Sequence, residues 1–535
     1  MAESLQASKP DEPIRVNFVI KDPTRIAWAI SLVVTFIVFV RNAWIGDDAF
    51  ITMRVVDNFV HGYGLVWNVG ERVQAYTHPL WMLLLVPVYA VTNNPYLTLY
   101  GLSLVISMLV VGLLLTKFTR HYREALLVCL LLLASTTFVD FSFSGLENPL
   151  TNLLLVVLLL VMFRWSLSPG RRLFWVTFVA SVAGVNRLDT ILLFLPVIGY
   201  TLFEARHLRW KAALILLAGF LPLILWLGFA TFYYGFPLPN TYYAKLKTGM
   251  KTTEFIDQGK HYFQNAIRWD PITLLTIGAA VVLTALSRQK RQVALAFGIV
   301  LYLAYILYSG GDFMSGRFFC APFVVAVGIL LTLDYKTLPF TFDRRLYWYT
   351  ALAVVVLGLI AEHPPLFVGP GSSGGDVDRY GIADEKMVYY PQLGMLNQFE
   401  HNVPHDFAAA GLKAKAANET PVYILSVGSA GYYAGPSIYI IDAFVLADPL
   451  RARLPTDGGR RVGHYERRVP AGYQDSLAHH KNELQSPALR QYYDKLLMLT
   501  QGDLMAPGRW QEILNFNLGR YDGLIQEYMK APDWK

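Results

Sequence analysis

Cysteine and charge are what this sequence has little of. Of its 535 residues two are cysteine and 16% are charged, whereas 54% are hydrophobic. Soluble domains carry about 25% charged residues, so the composition excludes both an ordinary soluble enzyme and a disordered chain. Cys129 and Cys320 each sit inside a long apolar run, which leaves no disulfide framework and no cysteine metal site. The signatures GxxxxGK[ST], HExxH, paired CxxC and GxSxG are also missing, so a nucleotide-driven pump and the common hydrolase and metallopeptidase chemistries gain no support. Residues 1–25 are polar and lack the short apolar core and small-residue cleavage site of a signal peptide. They read as a cytoplasmic N-terminal tail. No internal repeat is apparent.

What is present is apolar, in many separate runs. Ile26 to Ile45 is long enough to span a bilayer. Further spans are expected at 96–116, 124–142, 147–163, 172–186, 189–204, 211–232, 272–286, 292–308, 317–333 and 346–361, and the stretch 79–91 is short and Pro-flanked. The net charge of +7 would suggest a nucleic-acid partner in a soluble protein. Here the positives fall in clusters of three between apolar runs: Lys117/Arg120/Arg123, Arg164/Arg171/Arg172, Arg206/Arg209/Lys211, Arg288/Lys290/Arg291 and Lys336/Arg344/Arg345. Cytoplasmic loops of membrane proteins collect Lys and Arg. All five clusters share the cytoplasmic side if 79–91 lies at the interface, and all would face outward if it crossed. The expectation is therefore a polytopic α-helical membrane protein of about eleven spans, embedded in lipid, with no nucleic-acid partner, its N-terminus inside and its C-terminus outside.

After 361 the composition changes. HPPLFVGPGSSGGD reads as a linker. Within 362–535, Pro421–Val427 and Ser437–Ala443 read as strands, Gly428–Gly431 as a tight turn and Leu484–Lys530 as helical. That gives a small extracytoplasmic α/β or α+β domain following a transmembrane domain over 26–361, which contains an interfacial first outer loop over 46–91.

With this topology the polar motifs fall on one side. Asp47 and Asp48 directly follow the first span. Ionisable residues at such depth are functional candidates by default, and adjacent carboxylates raise one another's pKa, which suits proton exchange near neutral pH. The alternative is a helix cap. Tyr76 and His78 lie in an aromatic-rich interfacial segment, where His78 could donate a proton, bind phosphate or simply be structural. Glu147 begins a span, where negative charge also suits a helix N-terminus. Arg187 and Asp189 read either as a phosphate-binding Arg with a partner or as a plain ion pair. Lys245 ends an aromatic run, while Asp312 and Arg317 flank the next outer loop, with Arg317 opposing the helix dipole. Two carboxylates with a donor phosphate could hold Mg²⁺ or Ca²⁺, but the pair alone does not establish a site, so no metal is assigned. Tyr432 and Tyr433 belong either to an acceptor cleft or to a core.

The runs Gly46-Asp47-Asp48-Ala49-Phe50-Ile51, Gly62-Tyr63-Gly64-Leu65-Val66-Trp67-Asn68, Gly70-Glu71-Arg72-Val73 and Tyr76-Thr77-His78-Pro79-Leu80-Trp81 resemble the GT-C membrane glycosyltransferases. More narrowly they resemble the bacterial arabinofuranosyltransferases, both the mycobacterial terminal β(1→2) enzymes and the pilin-modifying ones. The similarity continues at Ser144–Glu147, Asn186–Asp189, Pro239–Lys245, Gly316–Phe318, Ile441–Ala443, Leu446–Pro449 and Gly463–Arg468. Asn186 stands where many relatives carry other residues, and the chain is shorter than expected for the mycobacterial enzyme.

The resemblance implies transfer of arabinofuranose from a polyprenyl-phosphate donor, such as decaprenylphosphoryl-arabinofuranose, to a glycan or glycoprotein acceptor outside the cytoplasmic (inner) membrane. It implies a catalytic carboxylate on the first outer loop, at Asp47 or Asp48. Arg187, Lys245 and Arg317 are then candidates for the donor phosphate, and Tyr76, His78, Glu147, Asp189 and Asp312 for the rest of the substrate site. A carboxylate acting as base inverts the anomeric centre; a carboxylate nucleophile retains it. Rival readings are transfer of another lipid-linked sugar such as mannose or aminoarabinose, a ligase, and a lipid-linked glycan transporter. A transporter should show repeated halves or paired broken spans.

Overall fold

The computed structural model describes residues 22–246, 248–340, 345–362, 364–366, 377–401, 403–456 and 460–530. Most of the N-terminal tail and most of the 363–376 linker lie outside them. Proline starts many of the helices, at the first turn where its missing N–H costs no hydrogen bond. The membrane part runs α1 (Pro23–Asn42), α2 (Asp47–Val60), α3 (Pro79–Thr92), α4 (Pro95–Phe118), α5 (Tyr122–Ala134), α6 (Thr136–Asp140), α7 (Asn148–Phe163), α8 (Pro169–Asn186), α9 (Ile191–Glu204), α10 (Trp210–Gly219), α11 (Leu221–Tyr234), α12 (Asn240–Leu246), α13 (Thr252–Trp269), α14 (Pro271–Ser287), α15 (Lys290–Ser309), α16 (Cys320–Thr332) and α17 (Arg345–Ile360). Then follow α18 (Glu385–Leu393), α19 (Met395–His401), α20 (Ala408–Ala417), β1 (Val422–Ile424), α21 (Val427–Ala434), β2 (Ile440–Asp442), β3 (Arg460–Arg461), β4 (His464–Tyr465), α22 (Tyr473–His479), α23 (Pro487–Thr500), α24 (Arg509–Asn517) and α25 (Asp522–Lys530).

Helices α1, α4 and α15 are each long and apolar enough to cross a membrane, as are two bent pairs taken together, α10 with α11 (55°) and α13 with α14 (107°). Side chains of α1 such as Val33 and Ile37 are more than half exposed, as expected of a face meeting hydrocarbon. The protein is a polytopic helical membrane protein. Small residues let helices approach closely in such a bundle: a Cβ on Gly298 of α15 would stand 2.3 Å from the Leu193 carbonyl oxygen of α9.

Three readings differ in detail. The run 124–142 breaks after Ala134, because Asp270 at the head of α14 accepts from the Thr137 amide (2.8 Å) and the Ser135 hydroxyl (3.2 Å) and draws the chain into the separate turn α6. The run 211–232 bends at Phe220. Gly428–Gly431 is not a turn but the body of α21.

The C-terminal segment contains the two expected strands, paired in parallel with Val422 opposite Ile440 and Ile424 opposite Asp442. A second, antiparallel pair joins β3 to β4, and the remaining elements are helices. The segment is also not packed as a separate body. Ile382, Tyr389, Leu393, Ala430 and Ile440 belong to the same apolar cluster as Phe39, Trp81 and Phe323 of the membrane helices. A second cluster joins Leu450, Tyr473, Leu489 and Ile513 to Phe236, just past α11.

Candidate functional site

The segment from Gly46 to Val91 is held by the C-terminal segment, and this decides what its two aspartates can do. Gly46 donates to the Ser144 carbonyl (3.1 Å), starting α2 with Asp47 and Asp48 in its first turn. Asp47 is buried. Its Oδ2 accepts from the Gly428 amide (2.9 Å) and its Oδ1 from the Ser429 amide (2.7 Å). These are the free N–H groups in the first turn of α21, where an N-cap side chain or a bound anion would sit. Asp47 fills that anion site. A Cβ on Gly428 would come within 1.9 Å of the Asp47 carbonyl oxygen, so only glycine permits this approach. Burial raises the Asp47 carboxyl above its usual range, against the lowering effect of those amides.

Asp48 differs. It is half-buried, and its carboxylate makes no hydrogen bond or ion pair among the described residues. Its charge acts on Asp47, Arg317 and Glu385.

Behind it lies a buried ionic network centred on Glu147, which is fully buried. Oε1 of Glu147 accepts from Arg187 (2.9 Å) and Arg317 (3.1 Å), and Oε2 meets His78 Nδ1 at 3.1 Å. His78 Nε2 is 2.7 Å from the Thr52 hydroxyl of α2. Arg187 also grips Asp189 (2.8 and 3.1 Å), which accepts from the Tyr302 hydroxyl (3.1 Å). Arg317 reaches Asp312 at 3.3 Å. The structure thus brings His78, Glu147, Arg187, Asp189, Asp312 and Arg317 together, and the two arginines are occupied by protein carboxylates. Asn186, the residue that departs from the family pattern, donates to the Glu147 carbonyl (3.3 Å) and the Thr151 hydroxyl (2.9 Å), tying the end of α8 to the start of α7. Tyr76 stands apart, buried and hydrogen-bonded to Tyr234 (2.8 Å).

The remaining cation, Lys245 on α12, has no hydrogen bond or ion pair among the described residues. Its Nζ stands 5.4 Å from the centre of the Phe313 ring, which also meets Arg461 (5.6 Å) and His464 (ring centres 4.5 Å apart). Burial and the charges of Arg461 and Lys245 push His464 down to about 3, so it is neutral there. Arg461 donates to Glu385 (3.2 Å) and to the Gly381 carbonyl (3.0 Å). Glu385 is carried to this place because Ala383 pairs with Met314, with Ala383 donating to Phe313 (2.8 Å) and accepting from Ser315 (2.9 Å). Burial raises Glu385 to about 8; Arg461 opposes this, while Asp48 and Asp312 reinforce it. Sequence reasoning did not single out Glu385 or Arg461, because nothing local marks them; the Gly463–Arg468 run nearby was the available signal.

Much of the motif block proves to be a clamp. Arg54 donates to the Trp67 (2.7 Å) and Ile438 (2.8 Å) carbonyls and to that of Gly431. Asn68 pairs with both backbone groups of Ile440 (3.0 and 3.1 Å). Asn240 donates to the carbonyls of Val445, Leu446 and Asp448. Tyr432 and Tyr433 hydrogen-bond to Tyr89 and Tyr96 (2.8 Å each), which makes them part of the interface between α21 and the helices α3 and α4. Among the described residues no group of three or more His, Cys, Asp or Glu side chains could hold a metal ion. With Asp47 bonded to two amides, the aspartate pair is a poor chelate.

No family model matches the chain. It is 27% identical, over an alignment of 521 residues covering 80% of this chain and 82% of the relative, to a terminal β-(1→2)-arabinofuranosyltransferase of Mycobacterium tuberculosis. The chain is a glycosyltransferase related to this enzyme. A second terminal β-(1→2)-arabinofuranosyltransferase, from Corynebacterium glutamicum, is 23% identical over 505 residues, covering 79% of this chain and 72% of that one. Among solved structures, ArnT from Cupriavidus metallidurans bound to undecaprenyl phosphate aligns with a TM-score of 0.46 and 15% identity, over 78% of this chain and 85% of that one.

Proposed function

We propose that this glycosyltransferase transfers arabinofuranose from a polyprenyl-phosphate donor to a glycan or glycoprotein acceptor on the outer side of the cytoplasmic membrane, with Asp48 as the catalytic carboxylate. The observation that carries the assignment is the division of labour in the aspartate pair: Asp47 is bonded to two amides of α21, while Asp48 is unpaired in a cluster that includes Arg317 and Glu385. The sugar rests on similarity to the two arabinofuranosyltransferases, which alone would be fold-level analogy.

In the reaction the acceptor oxygen bonds to the anomeric carbon and gives up its proton to Asp48, while the bond to the phosphate oxygen breaks and polyprenyl phosphate leaves with the electron pair. If Asp48 attacks first as nucleophile, its oxygen bonds to the anomeric carbon as polyprenyl phosphate leaves; the acceptor oxygen then displaces Asp48 and passes its proton to the released phosphate, and configuration is retained. The anomeric configuration of the product reads which of these operates. Lys245, unpaired beside Phe313, meets the phosphate as charge develops there. Arg187 and Arg317 act one step back, fixing Glu147 and, through it, His78 and α2. An apolar groove of about 280 Å³, lined by Leu80, Leu83, Val182, Val185, Trp226 and Phe229, begins two residues from His78 and Arg187. It takes the first isoprene units. An eleven-span topology with the C-terminal segment outside, the reading that the five basic clusters support, would set this cluster at the outer boundary.

The test is turnover of purified protein with synthetic polyprenylphosphoryl-arabinofuranose and a panel of arabinofuranosyl acceptors, followed by mass spectrometry. Release of polyprenyl phosphate together with an extended glycan is expected. Turnover of a mannosyl or aminoarabinosyl donor, with none of the arabinosyl donor, would overturn the sugar assignment.

A further inference from the structure

Among the described residues, helix α24 leaves most of an apolar face uncovered. Arg509, Glu512 and Ile513 point inward, while Trp510, Leu514 and Leu518 follow one another at intervals of four residues and are 52%, 53% and 66% exposed. Met505, just before the helix, is also exposed. Gln511 and Asn517 flank this face, and Arg520 follows it.

The position of the helix says what it faces. Arg509 donates to the carbonyls of Phe232 (2.7 Å) and Tyr233 (3.2 Å), the last acceptors of α11, and Asn517 donates to Gly235 just past it (2.9 Å). The Trp510 and Phe232 rings lie 5.8 Å apart. Helix α11 is the second half of a bent candidate span, and its own residues Leu221, Leu225 and Phe229 are exposed at the same four-residue interval, Leu225 and Phe229 also lining the apolar groove. The lipid-facing stripe of a membrane helix therefore continues, through Phe232 and Trp510, onto the face of α24.

We infer that α24 is an interfacial anchor, lying on the bilayer surface at the end of α11 with Trp510, Leu514 and Leu518 in the boundary between headgroups and acyl chains. Such a helix buries its apolar face about 5–10 Å into that zone, where Trp is favoured. The anchor's inner face, through Ile513, packs into the apolar cluster of the C-terminal segment, so the anchor fixes that segment to the membrane. It depends neither on the sugar nor on which carboxylate is catalytic.

The test uses Leu514→Cys and, separately, Leu518→Cys in the full chain. Each is labelled with an environment-sensitive fluorophore and placed in lipid nanodiscs; Cys129 and Cys320 are buried. Retention of the wild-type thermal midpoint controls for folding. Lipids carrying a spin label near the headgroup should quench both sites several-fold, and more than lipids labelled deep in the acyl chain. Emission as in water without quenching would overturn the anchor. So would blue-shifted emission without quenching, which would mean that protein covers this face.

Discussion

Replacing Asp47 by Asn separates the structural aspartate from the catalytic one. Asn keeps one acceptor for either the Gly428 or the Ser429 amide and turns its own N–H₂ toward the other. One buried charge-assisted hydrogen bond is lost, worth roughly 1.5–3 kcal/mol, together with about 0.3–1 kcal/mol of charge–dipole attraction at the start of α21. Burial of the Asp47 carboxylate, which raises its pKa, returns part of this. The net is about 2–3 kcal/mol against docking of α21 on α2, a shift of ~30- to 150-fold in a local opening equilibrium. Hydrogen exchange of the amides of Val427–Ala434, measured in nanodiscs, reads that equilibrium directly. Asp47→Asn should speed exchange there by this factor, and Asp48→Asn should leave it unchanged. Unaltered exchange in Asp47→Asn, or acceleration by Asp48→Asn instead, would refute the division of roles.

Lys245→Ala should weaken donor binding about 10- to 100-fold, the loss of one charged contact to phosphate, with little change in thermal midpoint because Lys245 gives up only its contact with the Phe313 ring; titration with a non-transferable donor analogue measures it. Glu147→Gln removes the negative charge shared by Arg187, Arg317 and His78 and replaces one of its two acceptor oxygens by a donor. Breaking such a buried pair costs about 3–5 kcal/mol, so thermal scanning in detergent should show a midpoint several degrees lower. Glu385 is held protonated up to about 8, above its usual 4.5. The unfolded chain releases this proton first, so wild-type stability falls as pH rises from about 4.5 to about 8. Glu385→Gln should therefore gain stability relative to wild type across that interval and level off above it, read as the difference in thermal midpoint against pH.

The helical membrane architecture was legible because apolar runs bounded by Pro and by basic clusters leave few alternatives. Breaks within runs were not, since they depend on a distant partner: Asp270 turns the chain at Ser135–Thr137 from outside that run. The Gly428–Gly431 segment reads as a turn by composition and is helical because Asp47, 381 residues away, supplies its N-terminal acceptor. Most of the polar residues singled out in the motifs do meet in the structure. What the sequence could not say is which of them are already engaged. An Arg beside an Asp looks alike whether it awaits a phosphate or, as Arg187 does, already holds Asp189 and Glu147. Glu385 and Arg461 escaped notice because their position comes from tertiary contacts, the pairing of Ala383 with Phe313–Ser315 and the bonds from Arg461 to Gly381 and Glu385.

The central claim is that Asp48 performs the transfer. The most direct test is single-turnover kinetics of Asp48→Asn with polyprenylphosphoryl-arabinofuranose and acceptor, alongside donor affinity. A positioned acid–base or nucleophilic carboxylate contributes at least about 10²–10⁴-fold. The transfer rate should fall by that factor, with donor affinity and the thermal midpoint preserved. Near wild-type transfer in Asp48→Asn would contradict the account and move the catalytic group elsewhere in the cluster.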